Sequence, residues 1–204
     1  MLSSYYFLLY LNGLFSHCSD ENAKPNWNYV MAVREVIKMG HPILAERAKE
    51  VENFATLELD SLIRDMKDTM AALDGAGLAA PQIAVGLRVV IFGVTENPRY
   101  PDVEIVPETT LINPEVSIIG TERESAWEGC LSIPNMRGLV PRYTSIKYRG
   151  YDPQGNLIER EAHGFHARVV QHEVDHLDGI LYPQRIENIK DFGFIDALSE
   201  NENT

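Results

Sequence analysis

The chain reads as an α+β fold: antiparallel or mixed β-sheets packed around a central helix that carries candidate metal ligands. Three observations predict it. A helical stripe occupies residues 58–73, several strand-like segments then follow one another, and a second helical pattern covers residues 165–178. Strands in succession, rather than alternating with helices, argue against a parallel α/β sheet. The second helix contains His172-Glu173-Val174-Asp175-His176, an H-E-x-x-H pentad.

The elements can be justified in order. Tyr5 to Phe15 is apolar but too short to span a bilayer, and Asn12 and Gly13 interrupt it. No Lys or Arg precedes it, which disfavours a secretory signal, and the absence of Arg disfavours a transit peptide. Asp20 to Asn28 is polar, contains Pro25 and reads as a linker. Residues 1–30 are therefore expected to be an extension, disordered or arising from a mis-assigned start, with Met31 opening the domain. In the first helix Leu59, Leu62, Ile63, Met66, Met70 and Leu73 share a face, and Asp74-Gly75 ends it. Val89-Val90-Ile91-Phe92 is a continuous apolar run, the pattern of a buried strand. Glu96 to Thr109, with three prolines, reads as a long surface loop. Thr110–Ile112 and Val116–Ile119 read as two strands. Ser145–Tyr151 and Leu157–Ala162 flank Asp152-Pro153-Gln154-Gly155, the turn chemistry of a β-hairpin. Phe165, Val169, Val170 and Leu177 give the second helix its apolar face, and Gly179 closes it. Residues 31–195 thus form one domain, and 196–204 an acidic, polar, frayed tail.

At 204 residues, 45% hydrophobic and 24% charged, the chain can bury a proper core. Its net charge of −12 argues against nonspecific nucleic-acid binding, which needs clustered Lys and Arg. Cys18 and Cys130 lie far apart in unlike contexts, so a disulfide is not expected and a reducing compartment, the cytoplasm, fits.

On a helix, positions i and i+4 lie on one face, so His172 and His176 can reach a single ion while Glu173 stands close enough to act as a base. Cys130 as a thiolate would complete the set and leave a fourth tetrahedral position open, the pattern of a catalytic site. Alone, the pentad also suits a zinc peptidase, although Glu187 is the first Glu after it and no further His follows. A catalytically silent metal-binding module is the other reading.

Two upstream stretches narrow the choice. Gly75-Ala76-Gly77-Leu78-Ala79-Ala80-Pro81-Gln82 and Glu128-Gly129-Cys130-Leu131-Ser132 precede Gln171-His172-Glu173-Val174-Asp175-His176-Leu177-Asp178-Gly179. Together and in this order they resemble the motifs of the peptide deformylases, in the form of the bacterial type 1 branch. The resemblance covers about residues 31–190. It implies a metal-dependent hydrolase that removes the N-formyl group from the formylmethionine of nascent polypeptides and releases formate. Cys130, His172 and His176 would bind one divalent ion, with Fe²⁺ the native choice and Zn²⁺, Ni²⁺ or Co²⁺ able to occupy the site. Glu173 would be the general base, with the Gln82 side chain and the Leu131 backbone N–H as oxyanion donors. Gly77, Ala76 and Gly129 would let an extended peptide approach the main chain. Ala76, Phe165 and Val169 would line a pocket for methionine, although Phe165 reads equally as core. Arg137 reads as a solvated surface residue or a peptide contact. His163 and His166 read as structural, and Asp175 and Asp178 as groups that orient the ligating rings. A transient ribosome contact is expected, with no specific nucleic acid and no membrane as partners.

Overall fold

The structure, a computed structural model, describes residues 32–94 and 104–201. The expectations for residues 1–31, for most of the loop from Glu96 and for residues 202–204 lie outside them. Among the described residues no helix is long and apolar enough to cross a membrane.

Helix α1 spans Leu57–Ala72. Thr56 caps it by accepting the N–H of Leu59 at 3.2 Å, and Glu58 and Asp60 in the first turn suit the positive end of its dipole. Leu59, Leu62, Ile63 and Met66 are its buried face. Asp74, with φ at 50°, is the left-handed residue that ends it, rather than Gly75. Gly75 is needed for space instead, since a Cβ there would lie 3.1 Å from Met70 and 3.3 Å from the carbonyl of Gly77.

A five-stranded antiparallel sheet is built from β1 (Gly77–Ala79), β2 (Val89–Val94), β3 (Val106–Ile118), β6 (Ser145–Tyr151) and β7 (Leu157–His163), in that order. The apolar run in β2 is explained by its two faces. Val90 and Phe92 join the core shared with the second helix, α2 (Gly164–Leu177), whereas Val89 and Ile91 join the core shared with α1. A strand covered on both faces has no polar side to alternate. The two strands expected at Thr110–Ile112 and Val116–Ile119 are one strand, β3, with a bulge between Ile112 and Glu115. Asn113 sits there at φ 50° and its side chain bonds both the N–H and the C=O of Val51, each at 2.9 Å. β3 also begins at Val106, inside the segment read as loop.

A second, three-stranded antiparallel sheet was not foreseen. It pairs β4 (Arg123–Cys130) with β5 (Ile133–Tyr143), and β5 with β8 (Phe192–Phe194). Under it lies a third cluster of Leu44, Cys130, Ile133, Val140, Leu181 and Tyr182. Residues 196–201 of the tail expected to fray belong to a short helix α3, Ile195–Asn201. The C-terminal end of α2 turns at Gly179, whose φ of 72° and closeness to Ala45 both require glycine.

Candidate metal centre and active site

The three residues with ligand chemistry come together. One donor atom each from Cys130, His172 and His176 lies within 4.8 Å of the others, and Cys130 Sγ is 3.3 Å from His176 Nε2. Helix α2 supplies both imidazoles from one face. Cys130 is the last residue of strand β4. The ladder is irregular between Glu128 and Cys130, and such a bulge re-aims a side chain at the end of a strand.

The residues fit a divalent cation. The donor set is one sulfur and two imidazole nitrogens, a soft and borderline set. Glu173 Oε2 and His176 Nδ1 are buried with no hydrogen-bond partner in the protein. Glu173 therefore offers an acceptor, beside the cluster, that a bound water would satisfy. Burial pushes its carboxyl up to about 7. Burial alone would disfavour charge on His172, yet its contacts with Cys130 and Glu128 hold its pKa well above the usual imidazole range.

Glu128 is the functional residue that sequence reasoning passed over. Its Oε2 meets His172 Nδ1 at 2.8 Å, which leaves the other ring nitrogen for a metal. Arg142 clamps the same carboxylate through Nε at 3.0 Å and Nη2 at 3.1 Å, and Arg168 donates to it at 2.8 Å. Burial by itself would raise the Glu128 pKa, but His172 and Arg142 outweigh it and keep the carboxyl ionised. Arg142 also donates to Asp175, which Arg185 holds at 2.6 Å. Asp175 therefore acts at one remove from the rings rather than on them. Asp178 pairs with Arg88 at 2.8 Å. The motif named Glu128; its role was hidden because its partner Arg142 lies outside every motif.

Gln82 lies in a 3-10 turn, Ala80–Ile83, whose first turn holds Pro81. Its Oε1 accepts from the Ala79 N–H at 2.8 Å, and its Nε2 faces Cys130 Sγ at 3.4 Å and Ser132 Oγ at 3.3 Å. The donor end of the amide is thereby aimed at the cluster. Gly77 has a sharper reason than peptide approach: a Cβ there would lie 2.4 Å from Glu173 Oε1. A cavity opens onto the centre, lined by Ala76, Gly77, Gln82, Gly129, Leu131, Phe165, Val169 and Glu173 together with the unforeseen Trp127 and Arg168. Arg137 is not brought to it. It pairs with Gly193 across β5 and β8, on a separate groove that shares only Gly129, Cys130 and Leu131 with the cavity. His163 bonds Ser145 at 3.0 Å and His166 meets the Tyr148 hydroxyl at 3.3 Å, both structural contacts. Glu187, the alternative third ligand of a peptidase, is exposed and pairs with Arg123 at 3.1 Å.

The chain is similar to known proteins over this whole region. The family described as Polypeptide deformylase matches residues 33–192. Peptide deformylase 1 of Nitrosomonas europaea is 60% identical over 166 residues, covering 81% of this chain and 94% of that protein. Peptide deformylase 2 of Ralstonia nicotianae is 57% identical over the same shares. A Met-Ala-Ser-bound crystal structure of class I type b peptide deformylase from Acinetobacter baumannii superposes with a TM-score of 0.74 at 40% identity, covering 77% of this chain and 100% of that one. The enzyme from Thermotoga maritima gives 0.69 at 36% identity over 76% and 99%. With the family matched from 33 to 192 and these relatives covered almost end to end, the chain belongs to the polypeptide deformylase family.

Proposed function

We propose that Cys130, His172 and His176 hold one divalent metal ion and that Glu173 moves the protons in removing the formyl group from formylmethionyl nascent peptides. Deformylation is the activity of the family, and this chain is an enzyme of that kind. One observation supports the residue roles above the others: the buried Cys–His–His cluster with the partnerless Glu173 carboxyl oxygen beside it.

When bound, the metal supplies a Lewis acid that polarises the formyl oxygen and brings the pKa of a water near neutrality. The protein does the rest. Glu173 takes a proton from the attacking water as its oxygen joins the formyl carbon. Gln82 Nε2 and the Leu131 N–H donate to the oxyanion. Glu173 then gives its proton to the amine nitrogen as the C–N bond breaks, which yields formate and a free α-amine. Ala76, Phe165 and Val169 hold the methionine side chain, while Gly77 and Gly129 expose main chain to the peptide backbone. A formyl carbon carries only hydrogen, so close walls exclude acetylated peptides by size. Arg137, outside the cavity on the groove that meets it at Gly129, Cys130 and Leu131, is assigned to the peptide beyond the methionine.

The native ion is Fe²⁺ in this reading, with Zn²⁺, Ni²⁺ or Co²⁺ as substitutes. The enzyme works in the bacterial cytoplasm, through transient ribosome contact, without specific nucleic acid or membrane partners. Residues 31–195 are the catalytic domain, with 1–30 an extension before it and helix α3 carrying the chain past it. The test is anaerobic formate release from formyl-Met-Ala-Ser, with metal analysis of the same sample. Glu173→Gln is expected to keep its metal and lose about 100-fold or more in kcat. An active Glu173→Gln variant, or no formate from Fe²⁺-loaded wild type, would overturn the assignment.

A further inference from the structure

We propose that Tyr182 is a positioning residue of the metal centre: its ring is a face clamp that, with Glu128 at the ring edge, fixes the plane of the His172 imidazole. The inference rests on His172 being a metal ligand. It adds a residue from outside the motifs that carry the chemistry.

The geometry carries it. The Tyr182 and His172 rings lie nearly parallel and offset, 22° between planes and 6.1 Å between centroids. Glu128 bonds the His172 edge at Nδ1. An imidazole held only at one edge can still swing about that bond, and a flat neighbour on its face removes this freedom. On another side, His176 meets His172 at 73°. The three contacts bear on different parts of the ring.

The slot for the tyrosine is built from several directions. Phe192 meets its ring edge-on at 6.1 Å. Gly138 clears its flank, because a Cβ there would lie 3.1 Å from Tyr182 Cε2 and 2.4 Å from Ile186 Cδ1. The 3-10 turn that bears it, Tyr182–Arg185, is fixed by Pro183 and tied back to α2 through Arg185 and Asp175. The ring is 1% exposed. Its hydroxyl is buried with no hydrogen-bond partner in the protein, so the residue carries the cost of an unsatisfied polar group. Burial, with Cys130 and Glu128 nearby, raises the phenol well above its ordinary range, so it acts as a neutral ring. What Tyr182 offers the site is therefore a plane.

The test loads wild-type and variant proteins with Co²⁺ and follows loss of the cobalt–thiolate absorption in excess EDTA. Tyr182→Phe keeps the plane and is expected to release cobalt at the wild-type rate with the same band position. Tyr182→Met and Tyr182→Leu fill the slot without a plane and are expected to release it about 10- to 100-fold faster with a shifted band, the range seen when groups behind metal ligands are lost. Leu44→Ala, in the same apolar cluster, serves as the control for general loosening and is expected to lower the melting temperature without changing release. Wild-type release and spectra in the Met and Leu variants would overturn the proposal. So would Tyr182→Phe behaving like them, or Leu44→Ala releasing cobalt as fast. If wild type itself binds no Co²⁺, the metal assignment fails first; if it does and the variants match it, only the clamp fails.

Discussion

At the scale of single residues, Gly77 and Glu173 show what a motif can and cannot convey. The glycine is visible in the sequence, and so is the glutamate, but nothing in either stretch says that one exists to make room for the other. The structure puts the carboxylate oxygen 2.4 Å from where a Cβ on residue 77 would lie. Gly77→Ala should accordingly fold, since its backbone is an ordinary strand and the clash is with a side chain. The displaced Glu173 would no longer reach the water it is proposed to deprotonate. A fall in kcat of about 100-fold, with metal content retained and melting temperature little changed, is the expected result in the formate assay. Activity within about threefold of wild type would show that the carboxylate has another resting place. The candidate metal ligands were legible for the opposite reason: spacing on one helix brings two of them together by geometry alone. Glu128 was not, because its function depends on Arg142, which no local pattern connects to it.

At the scale of elements, strands were readable where hydrophobicity marks their faces and unreadable where it does not. β2 announced itself by four apolar residues in a row. The β4–β5 hairpin did not, because residues on its inner face include Glu128 and Arg142, buried as an ion pair instead of an apolar stripe. The period of two is present but written in charge. The bulge that splits the apparent strands of β3 was hidden likewise, in an asparagine whose left-handed backbone is held by contacts with Val51. Helix ends were better specified. Gly179 closes α2 as its sequence position suggests, and there the chain turns against the carbonyl of Ala45, 2.7 Å from where a Cβ would be. Gly179→Ala must bear both a left-handed backbone and that collision. A loss of roughly 2 kcal/mol or more is expected from urea unfolding, combining the usual cost of strained backbone with overpacking. A change below about 0.5 kcal/mol would mean the turn relaxes freely.

At the scale of the whole molecule, a buried ionic network runs from His172 through Glu128 and Arg142 to Asp175 and Arg185, tying α2, both strands of the β4–β5 hairpin and the turn after α2 into one unit. The stability of the fold around this network depends on pH in a direction set by the shifted groups beside it. In the metal-free protein Glu173 is raised from 4.5 to about 7 by burial, and His172 is held above 6.5 by Cys130 and Glu128. Both groups bind more protons folded than unfolded, so both make stability fall as pH rises from about 5 through 7 and towards the folded value of His172. His176 is shifted the other way by burial and the His172 charge, and its opposing effect is confined to the range below and around 6.5. A metal reverses the balance, because it binds the deprotonated ligands and its affinity therefore rises with pH. The melting-temperature gap between zinc-loaded and metal-free protein should consequently widen from pH 6.5 to pH 8.5. At a metal concentration of about 1,000 times Kd the gap corresponds to roughly 4 kcal/mol, or on the order of 10 °C for a domain of this size. Paired melts at pH 6.5, 7.5 and 8.5 measure it directly. A gap that stays constant or narrows would mean that the ligands are already deprotonated in the metal-free fold, and that Glu128 and Cys130 do not hold the proton on His172 which the ion is expected to replace.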